Sequence, residues 1–336
     1  MTTLELLWTR FAAGERDFSG IDLSGLDMSH WSLPKTNLWG SRFVDSNLSN
    51  ASLKHANLRD AQMSRANLTG ADLRWADLQG ADLTQAHLSE AQFQGAFYNH
   101  RTRFPGDFLP EAAGMWWLEP GTTLATKDVR ERDLSGADLS LADFNGTLMT
   151  GCQLFGVVMH RANLLSAHLD GVDLRHSDLS SATLMLADLR ETNLSYANLY
   201  KANLIGANLQ GCCLEGANLQ GAIYSKSTRF PKDFQDPANL YFVGPGADLW
   251  GADLSDTRLN GLDLSGANLS GANLAHADLW GTCLTNANLQ GANLKGANLL
   301  GTDLRGANLD GTNLLDAILD LPDNLPVMTT FSRLEA

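Results

Sequence analysis

Ala66-Asn67-Leu68-Thr69-Gly70 is followed at once by Ala71-Asp72-Leu73-Arg74-Trp75, and this five-residue period decides the fold. The central apolar residue recurs in 17 pentads from Phe18 to Tyr98, in 21 from Leu124 to Tyr224 and in 15 from Leu249 to Leu319. All 53 central positions are apolar. Two residues earlier stands usually Ala, and between them usually Asp or Asn. The other two positions are mostly polar or Gly. Five matches neither the helical period of 3.6 nor the strand period of 2. Such a chain buries the Ala and Leu of each pentad only by turning a corner after every one. That predicts an all-β solenoid with short flat sides and a narrow core of stacked Leu, Phe and small residues.

The pattern Ala-(Asp/Asn)-Leu-x-Gly closely resembles the pentapeptide-repeat family, in its cyanobacterial form, over nearly the whole chain. The resemblance implies a right-handed quadrilateral β-helix with four pentapeptides per coil. On that basis 53 pentads make about 13 coils, a rod roughly 64 Å long at about 4.8 Å per coil. Each coil then contacts only its neighbours, which makes stability nearly additive along the stack.

The aspartates test the 20-residue coil. Asp precedes the central residue in 18 pentads, yet no two of these lie 20 apart within a tract. Residues 20 apart would sit directly above one another, where stacked carboxylates repel. Asn, Gln, Arg or an apolar residue follows instead, and Asn193, Asn198, Asn203 and Asn208 open a run in which Asn replaces Asp. Amides ladder without charge repulsion.

Two interruptions are copies of each other. Tyr98-x3-Thr102-Arg103-Phe104-Pro105-Gly106-Asp107-Phe108 ends at Pro120-Gly121, and Tyr224-x3-Thr228-Arg229-Phe230-Pro231-Lys232-Asp233-Phe234 ends at Pro245-Gly246. The resulting organisation is an N-terminal helical cap (1–15), a first tract (16–100), insert 1 (101–121), a second tract (122–226), insert 2 (227–246), a third tract (247–320) and a C-terminal cap (321–336). In the first cap, Thr2 and Glu5 fit a capping box, Leu4, Leu7, Trp8 and Phe11 form one apolar stripe, and Gly14 fits a helix stop. Duplication favours a structural role for the inserts over a binding one. Met115, Trp116 and Trp117 add either packing on the solenoid or an exposed patch.

The chain has 336 residues and a formal net charge of −14, with 44% hydrophobic residues. The apolar content excludes a disordered acidic chain. The acidity excludes a nucleic-acid backbone or an anionic membrane surface as direct partner, since both need a basic footprint. Met1 to Gly14 lacks the basic start and cleavage site of a signal peptide, and the four cysteines are too irregular for a disulfide framework. A cytoplasmic protein is expected.

Catalytic chemistry is not legible. Cys212 and Cys213 are adjacent without a partnered His pair, and Cys152 and Cys212 occupy the small inward position. The eight histidines are scattered, and no Gly-rich phosphate loop precedes a helix. We therefore expect no enzyme, no cofactor and no metal.

Reading every twentieth residue finds candidate surfaces. Leu165, Met185 and Ile205 stack at one outward position with Leu186 beside them, and Trp280 and Leu300 stack at another. These are candidate protein-binding columns, for an unidentified partner or a second copy of the chain. Scattered surface apolar residues are the plainer alternative. Lys35, His55 and Trp75 form a third column beside Lys54 and Arg74, a candidate patch for an anion or acidic partner, or simply a solvated face.

The reading that follows is a non-catalytic scaffold that binds another protein. The resemblance also implies an alternative, because some family members bind DNA gyrase or topoisomerase by imitating duplex DNA. The charge fits this poorly. A 64 Å duplex carries roughly 38 charges at one per ~1.7 Å, against a net −14 here.

Overall fold

The computed structural model describes residues 3–235 and 240–320. The chain divides into two compact units, Met1–Glu119 and Pro120–Ala336. Thr2 of the expected capping box and the expected cap over 321–336 lie outside the described residues.

The first unit opens with helix α1, Thr3–Ala12. Its stripe faces the core: Leu7 is buried, and Leu4 and Phe11 pack on the same cluster. Trp8 stays exposed, its ring edge-on to Trp31 at 5.8 Å. Gly14 ends the helix at φ 95°. Gly14 N–H donates to Phe11 O (3.0 Å) and Glu15 N–H to Arg10 O (3.1 Å), the paired bonds of a Schellman motif.

From Phe18 the pentads wind as expected. In Leu68-Thr69-Gly70-Ala71, Ala71 N–H donates to Leu68 O at 2.9 Å, and Gly70 has φ 69°, as the third residue of a type II turn requires. Leu68 and Ala71 point inward and are fully buried. Leu68 N–H then donates to His87 O in the next coil, and Asn67 N–H to Ser46 O in the previous one, both at 2.9 Å. Parallel bridges 20 residues apart run from Asp17↔Asn37 to Asp77↔Phe97 in the first unit. In the second they run from Thr123↔Asp143 to Asn203↔Ile223, and from Asp248↔Asn268 to Asn298↔Ile318. Four pentads therefore make one coil.

The Asp/Asn position has a direction. Asn198 Nδ2 donates to Asp178 Oδ1 at 3.0 Å, and Asn218 Nδ2 donates to Asn198 Oδ1 at 3.0 Å. The same polarity recurs in Asp248–Asn268–Asn288–Asn308 and in Asp253–Asn273–Asn293–Asn313. Each Oδ1 also accepts the N–H two residues on, as Asn198 does from Tyr200 at 3.2 Å. An aspartate accepts but cannot donate, so it starts such a ladder and cannot continue it. This explains the missing Asp pairs at 20 by hydrogen bonding as well as by repulsion.

Inserts 1 and 2 are copies in structure too. Strand β1 (Phe97–Tyr98) pairs in parallel with β2 (Trp116–Trp117), and β3 (Ile223–Tyr224) with β4 (Tyr241–Phe242). Thr102 Oγ1 donates to Leu78 O at 2.9 Å and accepts from Gly80 N–H at 3.2 Å. Thr228 Oγ1 does the same with Leu204 O (2.8 Å) and Gly206 N–H (3.1 Å). The threonine hydroxyl thus stands in for a backbone group where the register slips. The aromatics pack within each insert: Phe104 stacks on Phe108 at 4.9 Å, and Phe230 on Phe234 at 4.2 Å.

Within the second unit the stack does not run straight on, as a single continuous rod would require. Among the described residues, the next bridge beyond β3–β4 is Asp248↔Asn268, inside the third tract. The leading coil of the third tract lies instead against a side of the second.

Candidate interaction surfaces

That contact falls on the side of the second tract centred on Leu164, Leu184 and Leu204. Arg161 and Lys201 stand two coils apart at one corner of this side. Arg161 pairs with Asp256 at 3.5 Å, and Lys201 pairs with Asp253 and donates to Ser255 Oγ at 3.2 Å. Asn203 Nδ2 donates to the main-chain oxygen of Arg258 at 2.9 Å, and Arg258 reaches back to Asn163 Oδ1 at 3.3 Å. Residues 253–258 therefore span two coils of the second tract, so the two stacks are not coaxial. Partial burial pushes the Asp253 carboxyl up, but hydrogen bonds from Lys201 and Ser255 outweigh it and hold the group below the usual carboxylate range.

This placement changes the meaning of the expected apolar column. Ile205 is only 6% exposed and belongs to a core cluster with Val243, Ala247 and Leu249, and Met185 packs on that cluster. Ile205 is covered by the chain's own residues and Met185 partly so, so the column is not a free surface. Leu165 is half-buried. Leu186 is 59% exposed and lies over Gly206, where an added Cβ would meet its side chain at 2.7 Å. In the third tract Trp280 is 56% exposed and Leu300 half-buried, an apolar pair on the outer surface.

In the first unit the register places Lys35, His55 and Trp75 one above another. His55 stacks on Trp75 at 6.3 Å, Trp75 meets Trp116 edge-on at 5.4 Å, and Gly95 leaves room for the Trp75 ring. Arg74 is held bidentately by Asp72 at 2.9 and 2.7 Å. The Arg74 hydrogen bond holds the Asp72 carboxyl below its ordinary value against partial burial, with a smaller pull from Lys54. The aromatic members thus form an internal ladder, and the arginine is already neutralised.

One surface was not legible in single columns. Phe155, His176 and Tyr196 run up a corner of the second tract, with Phe155–His176 edge-on at 5.4 Å and His176–Tyr196 stacked at 5.3 Å. Arg175 lies over the Phe155 ring at 5.6 Å. Tyr200 is exposed on the next side. In a four-sided coil, the side centred on Leu154, Leu174 and Leu194 is opposite the one that holds the third tract. The stack crosses from the first outward position (Phe155) to the second (His176, Tyr196), so reading one position at a time misses it. Adjacent columns read together would have found it.

Among the described residues, no cluster of His, Cys, Asp or Glu could hold a metal ion, and no helix is long and apolar enough to cross a membrane. Burial pushes the Cys152 thiol up to about 11 and the Cys212 thiol up to about 12, as inward positions should.

A ladder of pentapeptide coils with apolar and aromatic corners defines a solenoid repeat protein. The chain belongs to the pentapeptide-repeat family, whose model, "Pentapeptide repeats", matches in 8 copies at residues 17–50, 32–70, 66–97, 129–161, 152–190, 182–221, 246–281 and 282–320. The matches leave out the two inserts. Proteins of this family form right-handed quadrilateral β-helices.

Among solved structures, the chain is similar to alr5209, a pentapeptide repeat protein from Nostoc PCC 7120. The two share 30% identity over 34% of this chain and 95% of that one, with a TM-score of 0.28. It is also similar to HetL, a pentapeptide repeat protein involved in heterocyst differentiation regulation from the cyanobacterium Nostoc sp. strain PCC 7120. That match has 27% identity over 97% of this chain and 99% of that one, with a TM-score of 0.23. QnrB1, a plasmid-mediated fluoroquinolone resistance protein, matches at 17% identity over 73% of this chain and 90% of that one, with a TM-score of 0.24. At these TM-scores none carries an argument about function. Among curated protein sequences none matches.

Proposed function

We propose that the chain is a non-catalytic, cytoplasmic scaffold that binds another protein through the outer corner of its second tract. The observation that carries this reading is the Phe155–His176–Tyr196 stack, three large rings held in contact on a ladder-bonded frame. Rings pre-ordered in this way lose little entropy on binding and present large amphipathic area, as interface anchors do. Family membership agrees, since pentapeptide repeat proteins are generally structural or interaction proteins.

The test is affinity capture from the native host with the wild-type chain and with a Phe155→Ser, His176→Ser, Tyr196→Ser variant. Loss of specific partners from the variant supports the reading. Recovery of the same partners by both removes this corner.

The DNA-mimic alternative draws on the net charge of −14. Local pairing weakens it, because Asp128, Asp173, Asp188 and Asp303 are each clamped by the arginine two residues on. A gyrase supercoiling assay separates the two readings. Inhibition at micromolar protein would favour mimicry, and no effect would reject it.

A further inference from the structure

Two ion pairs join the second and third tracts, and the third tract's Arg258 brings a further cation against the neutral Asn163. The second tract contributes the cations Arg161 and Lys201, and the third tract the anions Asp253 and Asp256. Arg161 and Asp256 keep about half of their side-chain surface in solvent, so salt reaches that pair, whereas Lys201 is mostly buried against Asp253 and that pair is screened less. The apolar share comes from Ile205 and Ile223, which are buried in the cluster of the leading coil, and from Met185, which packs partly on it. Among the described residues, the backbone ladder that makes each tract cooperative does not cross the joint: bridges stop at β3–β4 and resume at Asp248↔Asn268. Asn203 reaches across with its side-chain amide, which pairs the main-chain oxygen of Arg258.

We propose that this joint is an electrostatic latch, a conformational device in which the third tract docks on the side of the second and swings off, still folded, when its ion pairs are screened or reversed. Docking covers Ile205 and part of Met185, and release uncovers them. Each tract keeps its own coil-to-coil bonds in both states, so opening disturbs the joint and not the stacks. The Debye length falls from about 10 Å at 0.1 M salt to about 3 Å at 1 M, which is short enough to screen the half-exposed Arg161–Asp256 pair. The latch does not depend on the scaffold reading, since Arg161 and Lys201 stand at the next corner of the coil and none of the latch residues belongs to the Phe155–His176–Tyr196 stack.

Accessibility of a covered side chain in the full-length protein tests it. Peroxide oxidation of Met185 should run about tenfold faster at ~1 M than at ~0.1 M salt, as opening of the joint predicts, while backbone amides of 269–299 stay protected from hydrogen exchange. An Arg161→Glu, Lys201→Glu variant should show the fast oxidation already at low salt. Adding Asp253→Lys and Asp256→Lys should restore slow oxidation. Oxidation that ignores both salt and charge reversal would overturn the proposal. Loss of amide protection throughout 269–299 would overturn it as well, because the third tract would then depend on the joint to fold.

Discussion

Asn203 donates its side-chain amide to the main-chain oxygen of Arg258 at 2.9 Å, across 55 residues of chain. Its own Oδ1 meanwhile accepts Ile205 N–H at 3.1 Å. The residue is 4% exposed, so both bonds are made away from water. Asn203→Asp keeps the acceptor and removes the donor, leaving a carboxylate facing a carbonyl. A buried group left without its partner costs about 1–3 kcal/mol. The expected outcome is a lower unfolding midpoint. An unchanged midpoint would mean that the bond holds nothing.

The direction of the amide ladder predicts an asymmetry. Asn198→Asp places a carboxylate directly above Asp178 and removes the donor to it, whereas Asn218→Asp, one coil on in the same column, faces the neutral Asn198 below it. The first substitution should destabilise by roughly 1–3 kcal/mol, and more than the second. Asp178→Asn should be nearly neutral, since an amide oxygen accepts as well. Denaturant midpoints of the three variants decide, and equal losses at 198 and 218 would refute the directional account.

Thr228 should matter more than a surface threonine. Thr228→Val keeps the shape and leaves Leu204 O and Gly206 N–H without the hydroxyl that joins them. A loss of roughly 1–3 kcal/mol is expected in thermal or denaturant unfolding. Thr102→Val, the same change in insert 1, should act alike. A neutral result at both positions would assign the motif to something other than this bond.

Acid should weaken the coils. At Asp188 the Arg190 hydrogen bond, opposed by partial burial, holds the carboxyl below its ordinary value, and Asp173 is held down by Arg175 in the same way. A folded pKa below the unfolded value of about 3.9 means a contribution that is complete above that pH. It is lost as pH falls through the lower folded value. Stability should therefore drop below about pH 4, and Asp188→Asn should reduce the drop. Thermal melts across that range check both statements.

Thiol labelling should discriminate among the cysteines. Burial pushes Cys152 up to about 11 and Cys212 up to about 12, whereas Cys213 is exposed and the Ser195 hydrogen bond lowers its value. Native alkylation should modify Cys213 well before Cys152 or Cys212, since thiolate is the reactive form. Equal rates at the three would show that the inward positions open readily.

The five-residue period, read with the absence of stacked Asp, was enough for the coil, the inward Leu and Ala and the outward Asx, and the stripe of Leu4, Leu7, Trp8 and Phe11 for the N-terminal helix. All of these are local or repeat every coil, so each pentad reports on them independently. The side surfaces were only partly legible. Trp280 stays outside as expected, but Ile205 is covered, and Met185 partly so, by residues more than 35 positions further on, such as Val243 and Leu249. The ring stack from Phe155 to Tyr196 was hidden because it steps between two outward positions from coil to coil.

By itself, the sequence determined how each tract winds, because a pentad's hydrogen bonds go to coils at a constant offset of 20 residues. It also showed that two copied inserts interrupt the winding. Only the tertiary structure decided where the third tract goes. Insert 2 ends the constant offset, and beyond it the partners of Asp253, Asp256 and Arg258 are chosen by the shape and charge of a distant side. No period in the chain encodes that choice.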